Sequence, residues 1–137
     1  MKIKTKVIIF TDGASLGNPG PAAIGATVKD ENGRLITRIS KRIGRATNNQ
    51  AEYKAIIAAL EEATKLGATQ VNIRADSELV VKQLNGQYRV KNAALKPLYL
   101  EVKKLTRALD SFSIVHIPRE QNREADKLAH MALDQVY

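Results

Sequence analysis

The chain lacks cysteine and lacks any long apolar run, and each absence excludes a class of protein. Without a cysteine among its 137 residues, neither a disulfide framework nor a zinc-thiolate site is possible. No segment approaches the roughly 20 consecutive apolar residues of a membrane-spanning helix. The charged start of the chain is not followed by the apolar core of a signal peptide. We therefore expect a soluble, cytoplasmic protein with no membrane association.

Acidic residues are also scarce, with 14 against 22 lysines and arginines and a formal net charge of +8. This balance favours a polyanionic partner such as a nucleic acid, bound in a strongly salt-dependent way. An anionic membrane surface would attract the same charge, but no long amphipathic basic helix is present. Charge that serves solubility alone is the other alternative. Length and 44% hydrophobic content predict one compact domain over residues 1–137. The sequence implies no obligate protein partner, and we expect a monomer.

The hydrophobic pattern predicts the element order βββαβααβα, an α/β fold. Residues 6–11 are apolar on both faces, which is typical of a central buried strand. Further strands are expected over 24–29, 35–43, 71–75 and 113–117. Helices are expected from near residues 49, 77, 97 and 122, the first capped by Thr47 or Asn48 and the last by Asn122. Leu79, Val80 and Leu84 are expected to be buried in the second helix, and the inward-facing positions of the last helix run from Ala125 to Val136.

Four carboxylates fall at element ends that such a fold brings together. Asp12 continues the Ile8 and Phe10 face of the first strand and is expected to meet solvent where that strand ends. Asp76 follows the fourth strand, and Glu52 and Asp126 are predicted in first helical turns, where the helix dipole alone would also favour them. Gathered carboxylates repel unless a hard cation lies between them, and Mg²⁺ is the usual occupant. The sequence therefore predicts a metal-dependent nuclease.

Four segments together resemble the successive signature segments of type 1 ribonuclease H. They are Thr11-Asp12-Gly13-Ala14-Ser15-Leu16-Gly17-Asn18-Pro19-Gly20-Pro21, Thr47-Asn48-Asn49-Gln50-Ala51-Glu52, Ala75-Asp76-Ser77 and Asn122-Arg123-Glu124-Ala125-Asp126. The resemblance runs in order through nearly the whole chain, from residue 6 to about residue 132. It implies a ribonuclease H-like fold: a five-stranded mixed sheet, three antiparallel strands followed by two parallel ones, flanked by helices.

The resemblance also implies an activity, namely endonucleolytic cleavage of the RNA strand of an RNA/DNA hybrid to 3′-hydroxyl and 5′-phosphate ends. Two Mg²⁺ ions, for which Mn²⁺ can substitute, are implied as cofactors, held by Asp12, Glu52, Asp76 and Asp126. By the same resemblance, Asn48 and Asn49 would reach the minor groove of the hybrid, where the 2′-hydroxyl distinguishes RNA from DNA. Further substrate contacts implied in this way are Asn18 and a pocket for a DNA-strand phosphate made by Arg45, Thr47 and Asn92. Helix capping for the asparagines at 48 and 49, and a turn role for Asn18, are the structural alternatives.

The sequence departs from the family pattern in two places. The better-known bacterial members carry a basic, tryptophan-bearing protrusion before the third helix, whereas residues 87–96 are too few for it and the chain has no tryptophan. Arg89, Lys91 and Lys96 can replace part of its charge. The loop before the last helix also lacks the family's usual histidine. His116 is expected to be a packed strand residue, and Arg119 is the candidate to hold the scissile phosphate or the product in its place.

Two alternatives to hybrid cleavage remain open. Another nuclease of the same superfamily could act on double-stranded RNA, because a shallower site would accept an all-A-form duplex. Proofreading exonucleases are disfavoured, since they carry a second acid two residues after the first and this chain has Gly13-Ala14 there. A non-catalytic hybrid-binding module is the second alternative. It is disfavoured because a pure phosphate binder would do better without four carboxylates.

Overall fold

The predicted element order is confirmed by the computed structural model, which describes residues 5–134. The elements, in chain order, are β1 (Lys6–Ser15), β2 (Gly20–Asp30), β3 (Leu35–Ala46), α1 (Asn48–Lys65), β4 (Gln70–Ala75), α2 (Glu78–Leu84), α3 (Lys96–Arg107), β5 (Ser111–His116), a 3₁₀ turn (Arg119–Gln121) and α4 (Arg123–Leu133). Within residues 5–134, no helix is both long enough and apolar enough to cross a membrane. The position assigned to Val136 lies outside the described residues.

The five strands form one mixed sheet in the order β3-β2-β1-β4-β5. Pairing is antiparallel between β1 and β2 and between β2 and β3. It is parallel between β1 and β4 and between β4 and β5. The predicted ribonuclease H-like arrangement, three antiparallel strands followed by two parallel ones, is therefore confirmed, with β1 as the central strand.

Helices cover both faces of the sheet. The main core lies under α1, where Val7 and Ile9 of β1 pack with Ile56 and Leu60 of the helix. On the opposite face α4 packs across β1, β2 and β3. Burying the full apolar surface of one such leucine or isoleucine stabilises the fold by about 1.5–3 kcal/mol. The buried stripe of each helix thus fixes where its first turns lie relative to β1.

Two glycines let the covering helices approach the sheet backbone closely. A Cβ at Gly13 would lie 2.3 Å from the carbonyl carbon of Ala51 in α1. A Cβ at Gly25 would lie 2.1 Å from the carbonyl oxygen of Ala125 in α4. Both distances are far below van der Waals contact, so any larger residue would push the helix away. Because Gly25 pairs with Asp12 across β1 and β2, the two close approaches flank the predicted site.

Three local predictions are wrong. Asp12 does not meet solvent at the end of β1: it is 5% exposed, because antiparallel pairing with β2 carries the strand on to Ser15. His116 is exposed rather than packed, since it ends the outermost strand β5. Leu79 was expected on the buried side of α2 but is 37% exposed, and Val81 is buried instead.

We predict that Gly25→Ala destabilises the protein by about 1–3 kcal/mol, because the added methyl group must displace the backbone of α4. The measurement is urea unfolding of the purified variant. Gly33→Asn is the matched control: Gly33 has nothing within 4 Å of an added Cβ, and asparagine tolerates its φ of +84°. Equal stability of Gly25→Ala and wild type would show that α4 can shift away at no cost.

Candidate active site

The four predicted carboxylates line one cavity of about 370 Å³. They come from four separate elements or their immediate ends: Asp12 from β1, Glu52 from α1, Asp76 after β4 and Asp126 from α4. The asparagines at 48 and 49, Arg119 and His130 line the same cavity. The structure therefore brings together seven of the predicted site residues and one that the sequence analysis did not consider.

Asp12 and Asp76 are neighbours because the parallel pairing of β1 with β4 stops immediately before both of them. The last paired residues are Thr11 and Ala75. Beyond this point the backbones need not stay hydrogen-bonded to each other, so a gap opens at the carboxyl ends of the two strands. This edge is where open α/β sheets commonly bind ligands.

Glu52 is positioned by the start of α1 and by the backbone of Gly13. Thr47 caps the helix in a complete capping box with Gln50. Because α1 starts at Asn48, Glu52 lies just beyond the first turn, and the prediction that it sits within that turn is wrong. Glu52 Oε1 accepts a hydrogen bond of 2.9 Å from the Gly13 N–H. Its Oε2 is buried and has no hydrogen-bond partner among the described residues.

Asp76 is held by Asn122, whose role the sequence analysis missed. Asn122 occupies the predicted N-cap position of α4, but its side chain makes no capping hydrogen bond. Its Nδ2 instead donates to Asp76 Oδ2 at 3.0 Å and to the Thr11 carbonyl at 2.8 Å. The side chain is 1% exposed, so it ties the ends of β1 and β4 to the start of α4. Nothing in the local sequence distinguishes this contact from a cap.

His130 was also missed, although its spacing from Asp126 offered a signal. Residues four apart on a helix lie on the same face, and the His130 ring accordingly contacts Asp126. His130 Nδ1 lies 2.9 Å from the Asp126 carbonyl oxygen and 3.3 Å from its Oδ1. A carbonyl oxygen can only accept, so Nδ1 carries the proton in this contact. The ring therefore restrains the first turn of α4, where Asp126 lies as predicted.

Burial dominates the electrostatics of the two inner carboxyls. Burial, reinforced by the negative charges of Asp76 and Asp126, raises the pKa of Asp12 to about 7, although a hydrogen bond with Glu52 opposes the change. Burial also raises the pKa of Glu52 well above its usual value, and the adjacent Asp12 charge adds to this effect. Both carboxyls therefore hold their protons more tightly than free acids do, unless a cation compensates their negative charge.

The residues present fit a hard divalent cation. Asp12, Glu52 and Asp76 each offer a carboxylate oxygen within 4.8 Å of the others. All donors are oxygens, which Mg²⁺ and Mn²⁺ prefer. The unpartnered Glu52 Oε2 leaves a buried acceptor for which a cation would compensate. Asp126 lies outside this tight group but faces the same cavity.

Three of the remaining predicted substrate residues lie at three different places. Asn18 Oδ1 accepts a hydrogen bond from the Asn48 N–H at 3.0 Å, so the loop before β2 is anchored to the start of α1 beside the cavity. Arg45 instead lines a separate cavity of about 540 Å³ on the β2–β3 side. Asn92 Oδ1 accepts from the N–H groups of Ala94 and Leu95 just before α3. Neither Arg45 nor Asn92 lines the carboxylate cavity.

We predict that the metal-free protein loses stability as pH rises from 5 to 8, by up to about 3 kcal/mol. The pKa of Asp12 is raised from 3.8 to about 7, so between these values the folded state keeps a proton that the unfolded chain releases. Asp12→Asn should reduce this dependence without abolishing it, because burial also raises the pKa of Glu52. Adding Mg²⁺ should restore the stability that the wild-type protein loses at pH 8. The measurement is urea unfolding in chelator at both pH values. Exposed Glu31 supplies the control Glu31→Gln, and a wild-type pH dependence in Asp12→Asn would contradict the prediction.

Known proteins resemble this chain over nearly its whole length. The family described as reverse transcriptase-like matches residues 10–132. Ribonuclease HI of Halobacterium salinarum is 45% identical over 129 residues, which make up 94% of this chain and 65% of that protein. The crystal structure of RNase H1 from Halobacterium salinarum NRC-1 matches with a TM-score of 0.93 at 44% identity. The match covers 96% of this chain and 99% of that one.

Two further relatives extend the comparison. LC11-RNase H1, isolated from compost by a metagenomic approach, was solved in complex with an RNA/DNA hybrid. It matches with a TM-score of 0.90 at 42% identity, over 94% of this chain and 97% of that one. The bifunctional protein Rv2228c of Mycobacterium tuberculosis is 45% identical over 130 residues, but the chain spans only 36% of its length. With its mixed sheet and its cavity of four carboxylates, the chain belongs to the type 1 ribonuclease H family.

Proposed function

We propose that this protein is a metal-dependent endonuclease that hydrolyses the RNA strand of RNA/DNA hybrids and leaves 3′-hydroxyl and 5′-phosphate ends. One observation carries the proposal: four carboxylates from distant segments line one cavity in a chain of net charge +8. The positive charge of the rest of the protein attracts a polyanion, and the four carboxylates of the cavity can bind a cation that lies between the protein and a phosphate. The hybrid-bound structure of LC11-RNase H1 supports the choice of substrate.

The proposed cofactors are two Mg²⁺ ions, for which Mn²⁺ can substitute. Asp12, Glu52 and Asp76 would hold one through the group of oxygens within 4.8 Å, and Asp126 would complete the second site together with Asp12. When bound, such ions activate a water for attack on the scissile phosphate and stabilise the departing 3′ oxygen. Asp12 is proposed as the least replaceable ligand, because it interacts with all three of the other carboxyl groups.

The protein's own contribution is to fix the carboxylates before substrate arrives. The Gly13 N–H holds one oxygen of Glu52, and Asn122 holds one oxygen of Asp76. Each of these bonds leaves the second oxygen of the carboxylate available to a cation. Because the partners are backbone or buried groups, the ligands lose little side-chain entropy on binding.

Selection of the RNA strand falls to the amides beside the cavity. Asn48 and Asn49 line it, and each amide can donate to and accept from a ribose 2′-hydroxyl or a base edge in the minor groove. Asn18 supports them through its bond to the Asn48 N–H, which leaves its own amide nitrogen for substrate. On the DNA strand, Arg45, Thr47 and Asn92 remain the proposed phosphate pocket, with Arg45 exposed on β3.

Double-stranded RNA is a second candidate substrate. Only eleven residues (85–95) join α2 to α3, and none of them is helical, so the protrusion that the resemblance implies for other family members is absent from this part of the described chain. A shallower surface discriminates less between duplexes. A cytoplasmic location, a monomeric state and a single domain over residues 1–137 stay predictions.

We predict metal-dependent internal cuts confined to the RNA strand of the hybrid, and their loss in Asp12→Asn by at least a thousandfold. The physical reason is that an amide at position 12 removes the central negative ligand without changing its size. The measurement compares end-labelled RNA/DNA hybrid, double-stranded RNA, single-stranded RNA and double-stranded DNA, each with Mg²⁺, with Mn²⁺ and with chelator.

The control for this experiment is Glu31→Gln, which removes one acidic charge from an exposed turn. Equal cutting of double-stranded RNA would extend the substrate range without overturning the active site. If hybrid binds but no duplex is cut in either metal, the chain is a binding module and the enzymatic proposal fails. If Asp12→Asn cleaves at the wild-type rate, the carboxylate cavity is not the site of cleavage.

We predict that Arg119→Ala lowers turnover on the hybrid by about tenfold or more, because the guanidinium lines the cavity and can hold the scissile phosphate or the product. Arg119→Lys should recover part of the rate, since it restores the charge but not the bidentate geometry. Single-turnover and steady-state rates are compared with those of Arg123→Ala, whose exposed arginine does not line this cavity. Unchanged turnover in Arg119→Ala would exclude the role.

A further inference from the structure

A further cavity, of about 830 Å³, lies between the end of α2 and the start of α3. It is separate from the carboxylate cavity and shares no lining residue with it. Its distinctive side chains are two tyrosines and three cations: Tyr88, Tyr99, Arg89, Lys91 and Lys96. We call this cavity the tyrosine groove. Neither the carboxylate chemistry nor the proposed DNA-phosphate pocket uses it.

The charge of the tyrosine groove is entirely positive. Arg89, Lys91 and Lys96 line it, and no acidic residue does. Within residues 5–134, none of these three cations forms an ion pair. Lys96 is also the first residue of α3, whose N-cap makes no side-chain hydrogen bond and whose first turn has no acid. Unpaired cations at the positive end of a helix favour phosphate groups.

The rings of the groove are accessible and held by neighbouring lysines. Tyr88 is 46% exposed, which makes it one of the exposed large hydrophobic residues of the described chain. Lys82 Nζ lies 5.0 Å from the centroid of its ring and 3.3 Å from its hydroxyl oxygen. Tyr99 packs partly on the main core, with Lys103 Nζ 5.5 Å from its centroid. These contacts restrain both rings without removing them from the groove.

We propose that the tyrosine groove binds an unpaired nucleic-acid strand, a single-stranded DNA or RNA tail continuous with the duplex in the carboxylate cavity. Exposed aromatic rings interleaved with cations are what single strands require, since unpaired bases stack on the rings and phosphates pair with the cations. An intact duplex stacks its bases internally, so it would use the cations but leave the Tyr88 ring without a partner. The proposal rests on the hybrid nuclease function proposed above.

The distance between the two cavities suits one continuous substrate. Ser77 lines the carboxylate cavity and Gly86 lines the tyrosine groove, at the two ends of α2. Ser77 and Gly86 are nine residue steps apart, which at the helical rise of 1.5 Å per residue corresponds to about 13 Å. At 3.4 Å per base step this separation corresponds to roughly four nucleotides. A tail beginning a few nucleotides from the cut would therefore reach the groove.

The first test measures binding of fluorescein-labelled oligothymidylate and oligouridylate to the full chain in chelator, by anisotropy over a range of salt concentrations. Tyr88→Ala should weaken binding about fivefold or more, whereas Tyr88→Phe keeps the ring and should bind within about twofold of wild type. The triple variant Arg89→Ala/Lys91→Ala/Lys96→Ala should reduce the slope of log K against log salt by up to about 2.

The matched control for charge is the triple variant Arg34→Ala/Arg38→Ala/Lys41→Ala. It also removes three positive charges, but from exposed positions on or beside β3, outside the tyrosine groove. It should leave single-strand affinity and its salt slope near the wild-type values. Because Tyr88 is half exposed and the cations are unpaired, thermal unfolding of every variant should match wild type, which separates lost binding from lost folding.

The second test compares Mg²⁺-dependent cleavage of blunt hybrids with hybrids that carry a DNA or an RNA tail at either end. Tails should lower the KM of wild type and have no effect on Tyr88→Ala. Wild-type single-strand binding in Tyr88→Ala, or no single-strand binding by wild type, would overturn the proposal. Equal loss on blunt and tailed hybrids would also overturn it, since the groove would then contact duplex. Tail binding through Tyr88 without any hybrid cleavage would support the groove and refute the nuclease function.

Discussion

Burial of Asp12 between two helices is the constraint on which the rest of the site depends. A carboxylate at 5% exposure is costly, and this one lies within the central strand of the sheet. Gly13 and Gly25 bring α1 and α4 close to the β1 backbone and to its partner on β2, so that Glu52 and Asp126 arrive from opposite sides. The local positive ends of α1 and α4 offset part of the negative charge. They do not offset all of it, because the pKa of Asp12 still rises to about 7.

Asn122 fixes the orientation of the Asp76 carboxylate within this crowded group of acids. Its single amide nitrogen bonds both the Thr11 carbonyl, where parallel pairing ends, and the Asp76 carboxylate. An acid would add to the repulsion there, and an apolar residue would leave Asp76 without a partner. A neutral donor restrains the ligand while leaving its second oxygen for a cation. A wrongly oriented carboxylate would instead have to be reorganised each time a cation binds.

The sequence was most informative where periodicity and local chemistry agree. The cap at Thr47 and the alternation through β4 each predicted a boundary to within one or two residues. Long-range effects were not predictable in this way. The extension of β1 past Asp12 depends on pairing with β2, and the role of Asn122 depends on a contact 46 residues away. His130 could have been found, since its i, i+4 spacing from Asp126 was visible. The exposure of His116 follows from β5 being an edge strand, which the order of elements alone does not reveal.

The charge distribution fits the proposal that the carboxylate cavity and the tyrosine groove bind one substrate. Along α2 the lining changes from four carboxylates at one end to three unpaired cations at the other. A polyanion is repelled from the first cavity unless cations are bound there and is attracted to the second in any case. Metal binding would therefore act as a condition for productive placement of the phosphate backbone as well as for its hydrolysis. The net charge of +8 draws nucleic acid to the surface. Under the proposed function, the sign of the charge at each cavity would then determine which part of the nucleic acid can approach the four carboxylates.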